Sequence, residues 1–213
     1  MKNPSLLPLL LFCFLVSGLT NVLAADKNSN RIWTDPKKAS AEDPDFSVQG
    51  EYIKDGLGIQ VAALGKGNFY TSKFKGGLPG QGWDKSKPVV QIIKSDGVNE
   101  LVKGMKKELR VSPSLGAKPP EGAIILFDGK ENTKIKGQVQ DQLLMAGAQT
   151  TDNYGDFTLH LEFRLPYKPD SPLSSQDRGN SGIYLQNRYE TQVLDSFGLV
   201  SVSYTHLTLP TKA

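Results

Sequence analysis

Short apolar runs separated by glycine turns dominate the chain between residues 46 and 110. The runs cover residues 58–64, 69–74 and 88–93. Runs of this length with glycine at their ends are typical of β-strands joined by tight turns. The pattern therefore predicts a small β-rich module over residues 46–110.

A second set of strand patterns lies further along the chain. In Phe157–Leu165, apolar residues alternate with polar ones over nine positions, which is typical of a strand with one buried face. Four shorter segments also have strand character, with a tight turn predicted between the last two at Asn187-Arg188; they are residues 123–127, 142–145, 181–186 and 189–194. Sheets without covering helices bury their apolar faces against each other. The sequence predicts an all-β protein whose second domain is a β-sandwich.

The segments between these patterns set the predicted domain boundaries. Residues 111–121 contain Pro113, Pro119 and Pro120, which disfavour both helices and central strands, so we expect a linker there and a second domain from residue 122. Residues 25–45 are polar and have no apolar periodicity. We expect them to form a flexible leader.

The first 24 residues have the features of a secretory signal peptide. Lys2 precedes an apolar run from Leu6 to Val16, and Val22 and Ala24 occupy the positions that a signal peptidase reads. The run is shorter than the ~20 residues of a membrane-spanning helix. Cleavage after Ala24 would give an exported protein without a membrane anchor, located in the periplasm, at the cell surface or outside the cell.

The last residues of the sequence resemble a translated sequencing adapter. The resemblance covers residues 202–211, and we therefore expect residues 200–213 to be a non-native tail, His206 included. On this interpretation residues 122–199 are the N-terminal part of a longer domain.

Composition excludes several classes of function. The 213 residues include 25 Lys and Arg against 22 Asp and Glu, a formal charge of +3, without any basic block, so nucleic acid is not an expected partner. Cys13 is the only cysteine, and His160 and His206 are the only histidines. Disulfide frameworks, Cys-His nucleophiles and HExxH zinc sites are excluded. Chemistry must use carboxylates, amides, hydroxyls or one or two histidines.

Hydrogen-bonding side chains are concentrated between residues 178 and 196. Glu190 and Gln192 share one face of a predicted strand, whereas Asp195 has the opposite parity and joins them only if the strand bulges near Leu194. With that bulge, three polar groups would follow one face at about 7 Å intervals, similar to the separation of carboxylate pairs that act across a glycosidic bond. The alternative is a solvated outer face of the sheet.

Four segments resemble the bacterial 3-keto-disaccharide hydrolase domain family: LFDG at 126–129, residues 156–164, GNSGIYLQ at 179–186 and RYETQVLDS at 188–196. The resemblance implies a concanavalin-like jelly-roll sandwich in an exported protein that acts on carbohydrates. The polar strand is also similar to the ExDxxE strand of laminarinase-like glucanases. Two departures limit the transfer: Lys134-Ile135-Lys136 stands where many family members have Gly-Trp, and Gln192 replaces a glucanase carboxylate.

The chemistry of a 3-keto sugar indicates an elimination. A ketone at C3 acidifies the hydrogen on C2, so a general base can remove it, the C1 oxygen can leave, and water can add afterwards. Glu190 or Asp195 could be the base, and His160 is a third candidate. Tyr184, Arg188 or a divalent metal could stabilise the enolate. The sequence identifies no ligands for such a metal.

Further polar residues fit sugar recognition. Asn180 and Gln186 could bind hydroxyl groups, Gln192 lies between the two carboxylates, and Glu162 shares a strand face with His160. A non-catalytic carbohydrate-binding module on the same sandwich is the alternative function, because a fold alone does not distinguish cleaving a sugar from holding it. A carbohydrate is the predicted partner, and the sequence does not determine the oligomeric state.

Overall fold

The computed structural model describes residues 31–130 and 133–199. The predicted signal peptide at residues 1–24 and the predicted tail at residues 200–213 lie outside the described residues. Strands outnumber helices, and the paired strands of each sheet are antiparallel. The predicted all-β class is confirmed. No helix in the described part of the chain is long and apolar enough to cross a membrane.

The first module contains a five-stranded antiparallel sheet in the order β4-β3-β2-β1-β5. Its strands are β1 (Gly50–Lys54), β2 (Leu57–Gly65), β3 (Asn68–Lys75), β4 (Val89–Lys94) and β5 (Lys106–Glu108). The three apolar runs identified in the sequence form β2, β3 and β4. Apolar runs and glycine turns thus predicted three of the five strands, whereas β1 and β5 were not predicted.

The core of the module lies against β2 and β3. Ile59, Val61, Ala63 and Phe69 have no exposed surface, because β2 and β3 form the centre of the sheet. Helix α3 (Ser95–Leu101) covers part of the same core through the fully buried Val98. Burial of the Ile59, Val61 and Phe69 side chains contributes about 1.5–3 kcal/mol each relative to leaving them exposed.

Two helices occupy part of the segment that we expected to be a flexible leader. They are α1 (Pro36–Glu42) and α2 (Pro44–Val48), and each begins with an Asp-Pro pair. The Asp35 side chain accepts a hydrogen bond from the Lys37 backbone amide, and Asp43 does the same for Asp45. Aspartate as N-cap followed by proline in the first turn is a helix start signal. The expectation of a leader without structure was wrong for residues 36–45.

Residues beyond the linker complete the core of the first module. Trp33 and Tyr167 exchange two backbone hydrogen bonds, of 3.0 and 2.8 Å, as an isolated β-bridge. The Tyr167 ring packs edge-on against Phe46, with 4.9 Å between ring centroids. Its hydroxyl donates to the buried carboxylate of Asp43, and burial is the main cause that raises the pKa of Tyr167. Tyr167 is therefore a core residue of the first module, although it lies in the second domain by sequence.

An ion-pair network reinforces this contact. The Arg31 guanidinium donates to both carboxylate oxygens of Asp170, at 2.8 and 2.9 Å, and to Asp43 at 3.2 Å. The hydrogen bonds from Arg31 lower the pKa of Asp170 below its usual range. The first and second parts of the chain are thus joined by charges as well as by aromatic packing.

The remaining strands are short antiparallel pairs. β6 (Ile135–Lys136) pairs with β9 (Gln149–Thr150), and β7 (Val139–Gln140) pairs with β8 (Leu143–Leu144). The last pair is the hairpin of β10 (Ser181–Leu185) and β11 (Tyr189–Val193). These elements account for two of the predicted strand regions, residues 142–145 and the segment 181–194.

Two other predicted strands do not form. Residues 123–127 and Phe157–Leu165 have no strand assignment, and within the latter Phe157 and Phe163 are 50% and 62% exposed. A strand requires backbone partners and a cover for its apolar face. Among the described residues no strand lies beside Phe157–Leu165. All positions from 157 to 164 are exposed, so the predictions of a paired strand and of one buried face were both wrong here.

The Arg31–Asp170 ion pair gives a pH-dependent prediction. Because the pKa of Asp170 is lowered by folding, its contribution to stability is present above the unfolded value near pH ~3.9 and is lost as the pH falls through the folded value. Asp170→Asn should lower stability at pH 7 by about 1 kcal/mol, discounted for the partial exposure of Arg31. Melting curves of parent and variant from pH 7 to 2.5 should differ by about 2–4 °C at neutral pH and converge in acid. A difference that persists unchanged at pH 2.5 would contradict the assignment.

The exposed apolar residues of Phe157–Leu165 give a second prediction. Exposed apolar side chains in an extended, unpaired segment promote association between molecules. Phe163→Ser should reduce concentration-dependent light scattering and leave the melting temperature within about 1–2 °C of the parent, because little buried surface is lost. Phe69→Ser is the control, since it removes a fully buried ring and should lower the melting temperature strongly. Equal effects of the two variants on stability would show that Phe163 is buried.

Candidate functional site

The β10–β11 hairpin carries most of the residues predicted to act on a substrate. Its register pairs Tyr184 with Glu190 and Gly182 with Gln192. Gln186 and Asn187 at the turn both have positive φ, near +54°. Asparagine adopts this conformation more readily than most residues, which explains the tight reversal. The predicted pair of strands is confirmed to within a residue at each end.

Residues paired across the hairpin share one face of it, and this face is polar. Tyr184 and Glu190 are cross-strand neighbours, and interaction with the Glu190 carboxylate, through hydrogen bonding and its negative charge, raises the pKa of Tyr184. The Glu190 side chain lies across Gly182, in the space that a β-carbon at that position would occupy. Tyr184 is 60% exposed, so the pair is open to a ligand from solvent.

A second pair of polar side chains extends the same face. Gln192 donates a hydrogen bond from Nε2 to Oδ1 of Asn180 at 3.0 Å. This contact places two amide groups next to the Glu190–Tyr184 pair. We define these four residues, Asn180, Tyr184, Glu190 and Gln192, as the polar hairpin face.

Asp195 does not join this face. Its Oδ2 accepts hydrogen bonds from Nη2 and Nε of Arg178 at 2.7 and 3.0 Å, and its Oδ1 accepts one from the Phe197 backbone amide at 3.3 Å. Arg178 is fully buried and also donates to the Ser171 carbonyl oxygen. Both oxygens of Asp195 are thus occupied by protein donors. The expected line of Glu190, Gln192 and Asp195 is not formed.

The irregularity lies on the other strand from the one predicted. Ser181 pairs with Val193, whereas the Asp195 amide donates to the Arg178 carbonyl oxygen at 2.9 Å. One more residue therefore lies between Arg178 and Ser181 than between Val193 and Asp195. Gly179, with φ of +74°, accommodates that extra residue beside Pro166, where a side chain would collide with the proline ring. Asp195 therefore lies on the same face of the hairpin as the buried Val193, two residues before it.

The remaining candidates occupy other positions. His160 and Glu162 are exposed and lie 3.4 Å apart, Nε2 to Oε1, and Glu162 also accepts a hydrogen bond from the Gly116 amide. This pair belongs to the extended segment before the hairpin, and its described polar contacts do not include the hairpin. Gln186 and Arg188 lie exposed at the hairpin turn.

Sequence reasoning did not identify Arg178 as a buried residue. Arginine is almost never fully buried unless it is paired. Its partners Asp195, Ser171 and Ala63 are 17, 7 and 115 positions away along the chain. No local periodicity could show that these groups meet.

The described residues contain no group of three or more His, Cys, Asp and Glu side chains arranged to hold a metal ion. On the polar hairpin face, Glu190 is the single carboxylate. The chemistry available to these four side chains is therefore proton transfer at one carboxylate, with a phenol and two amides as hydrogen-bonding groups.

The Glu190–Tyr184 contact gives a spectroscopic prediction. Glu190→Gln removes the negative charge that opposes ionisation of the phenol, so the pKa of Tyr184 should fall toward the usual value of about 10. Ultraviolet difference titration of parent and variant measures this change, and Tyr184→Phe identifies the signal among the seven tyrosines. Gln192→Ala is the matched control and should leave the titration of Tyr184 unchanged. If Glu190→Gln also leaves it unchanged, the two side chains are not in contact.

Comparison with protein-family models gives one match that covers the hairpin. Residues 122–208 match the model described as the 3-keto-alpha-glucoside-1,2-lyase-like domain, which is less than half of the 213 residues. The match includes the four segments on which the resemblance was based and extends nine residues past Leu199. Comparison with curated proteins and with solved structures gives no match. The family match supports the jelly-roll class for the second domain. The match therefore supports a 3-keto-alpha-glucoside-1,2-lyase-like domain over residues 122–208.

Proposed function

We propose that this protein is an exported carbohydrate-active enzyme that cleaves the glycosidic bond of a 3-keto sugar. The observation that carries the proposal is the exposed Glu190–Tyr184 pair inside a segment that matches the 3-keto-alpha-glucoside-1,2-lyase-like domain. A base and a hydroxyl side by side are the two groups that removal of a proton next to a ketone requires.

Glu190 is the proposed general base. Its carboxylate takes the proton from C2, and the electron pair of the broken C2–H bond moves into the C3 ketone to form an enolate. Tyr184 can donate its hydroxyl hydrogen bond to the enolate oxygen instead of to Glu190, which frees the carboxylate for the proton. Asp195 is not proposed for this role, because Arg178 and the Phe197 amide occupy both of its oxygens.

Elimination completes the cleavage. The C3 ketone re-forms, the C2–C3 electron pair of the enolate shifts to make the C1–C2 double bond, and the C1–O bond breaks. The departing oxygen takes up the proton that Glu190 removed from C2 and becomes the hydroxyl of the released group. Water then adds to C1, and C2 recovers a proton, so the sum of the two stages is hydrolysis. The words 1,2-lyase in the family description fit the first stage, because elimination occurs across C1 and C2.

Asn180 and Gln192 are the proposed sugar-binding residues. Their amides are hydrogen-bonded to each other at 3.0 Å, and each retains donors or acceptors for hydroxyl groups. Arg188 and Gln186, which are exposed at the turn, are the proposed contacts of the group that leaves from C1. The molecule that the protein binds in this proposal is the carbohydrate substrate. Export is supported by the signal-peptide features of residues 1–24.

Substitution of Glu190 tests the catalytic proposal. Glu190→Gln keeps the shape of the side chain and removes the base, so kcat for cleavage of a p-nitrophenyl 3-keto-α-glucoside should fall by about 10² to 10⁴. The matched control is Glu100→Gln on helix α3, which changes an exposed carboxylate of the first module and should retain the parent rate.

The outcomes separate the two functions considered. Parent activity in Glu190→Gln would refute the assignment of the base. Binding of the 3-keto-glucoside by calorimetry, without release of p-nitrophenol by the parent, would favour the carbohydrate-binding module instead. Exchange of the C2 hydrogen with deuterated water, followed by mass spectrometry, should occur in the parent and be lost in Glu190→Gln if removal of that proton is the first step.

A further inference from the structure

The ion pair of Arg178 and Asp195 closes the base of the hairpin. Arg178 precedes β10 and Asp195 follows β11, so the two side chains meet where the strands begin and end. The backbone hydrogen bond between the same residues, 2.9 Å from amide to carbonyl oxygen, fixes the strand ends as well. We call the Arg178–Asp195 pair the clasp.

The first module holds the clasp from the other side. Arg178 Nη1 lies 3.5 Å from the carbonyl oxygen of Ala63 in β2, and the Ser72 hydroxyl of β3 donates to the Gly198 carbonyl oxygen at 2.9 Å. Gly198 also packs against the side chain of Ala62, because a β-carbon at position 198 would already be in van der Waals contact with it. All of these groups are buried. The strand ends of the hairpin therefore rest directly on the central strands of the first sheet.

The clasp is continuous with the polar hairpin face. Asn180 is two residues after Arg178, and Gln192 is three residues before Asp195. Their hydrogen-bonded pair is the next contact along the hairpin, and the Glu190–Tyr184 pair follows it. A change in the spacing or direction of the strand ends at the clasp would move both pairs together, because the intervening backbone is a hydrogen-bonded ladder.

We infer that Arg178 and Asp195 are positioning residues, and that the first module, residues 46–110, is the support on which the site is built. The family match begins at residue 122 and does not include this module. The inference concerns the arrangement of the hairpin and rests on the proposed function only for its effect on catalysis.

Two Arg→Lys substitutions form a matched test in the full chain. Arg178→Lys keeps the positive charge but cannot reach Asp195 and two carbonyl oxygens at once, since lysine lacks the fork of the guanidinium. Arg31→Lys makes the same change at an ion pair that joins the two parts of the chain, and Arg31 contacts Asp170 and Asp43 but not the hairpin. Asp195→Glu is a second variant at the clasp that keeps both charges and displaces one of them.

Amide hydrogen exchange reads the arrangement without any need for activity. We expect exchange across residues 181–193 to accelerate at least tenfold in Arg178→Lys and Asp195→Glu relative to Arg31→Lys. Equal exchange of the hairpin in all three variants would overturn the inference. If Arg178→Lys does not fold, Asp195→Glu decides by the same comparison.

Kinetics separate a positioning role from a catalytic one. With a 3-keto-glucoside that the parent cleaves, both clasp variants should lower kcat by about 10- to 100-fold and keep the pH at which the rate is half-maximal. A shift of that pH would show that Asp195 itself exchanges protons with the substrate and would overturn the positioning role. If the parent does not cleave the substrate, the proposed function fails, and hydrogen exchange alone still decides the inference about the clasp.

Discussion

The guanidinium of Arg178 is the contact through which the polar hairpin depends on the rest of the molecule. It is fully buried and donates to Asp195 and to the Ser171 carbonyl oxygen, with the Ala63 carbonyl oxygen close by. An unpaired charge in this position would cost several kcal/mol, so the four groups must arrive together. A single side chain thereby links a strand of the first sheet, the loop before the hairpin and the end of the hairpin itself.

Two carboxylates that the sequence presented as equivalent differ in their surroundings. Glu190 is on the exposed polar face and has the exposed Tyr184 as its neighbour, whereas Asp195 is held by a guanidinium and a backbone amide. A carboxylate that accepts a proton needs a free lone pair directed toward the substrate. A carboxylate that positions other groups has its lone pairs occupied by hydrogen-bond donors of the protein. The position of one extra residue, beside Gly179 instead of near Leu194, decides which carboxylate is exposed and which is held by Arg178.

Local patterns in the sequence predicted the elements that are stabilised locally. The strands β2, β3 and β4 and the final hairpin follow from apolar alternation and glycine or asparagine turns, and the polar character of Glu190 and Gln192 on one face follows from strand parity. The helices α1 and α2 were missed because an Asp-Pro pair is common both in loops and at helix starts. The prediction of a strand at Phe157–Leu165 was wrong for a different reason, because a strand forms only beside another strand and its own composition does not supply that neighbour.

The site was predictable as a set of residues but not as an arrangement. Its members follow one another within 15 residues, yet their directions are set by Arg178 and by contacts to Ala63 and Ser72 more than 100 positions away.

The order along the hairpin has a mechanistic consequence. The amides of Asn180 and Gln192 lie next to the clasp and are hydrogen-bonded to each other, which suits the sugar-binding role proposed for them. Glu190 and Tyr184 lie one step further toward the exposed turn, where a carboxylate can turn from a phenol to a proton on the substrate. The proposed elimination requires rigid recognition near the support and freedom of the base at a distance from it, and a hairpin fixed at its base and open at its turn suits both requirements.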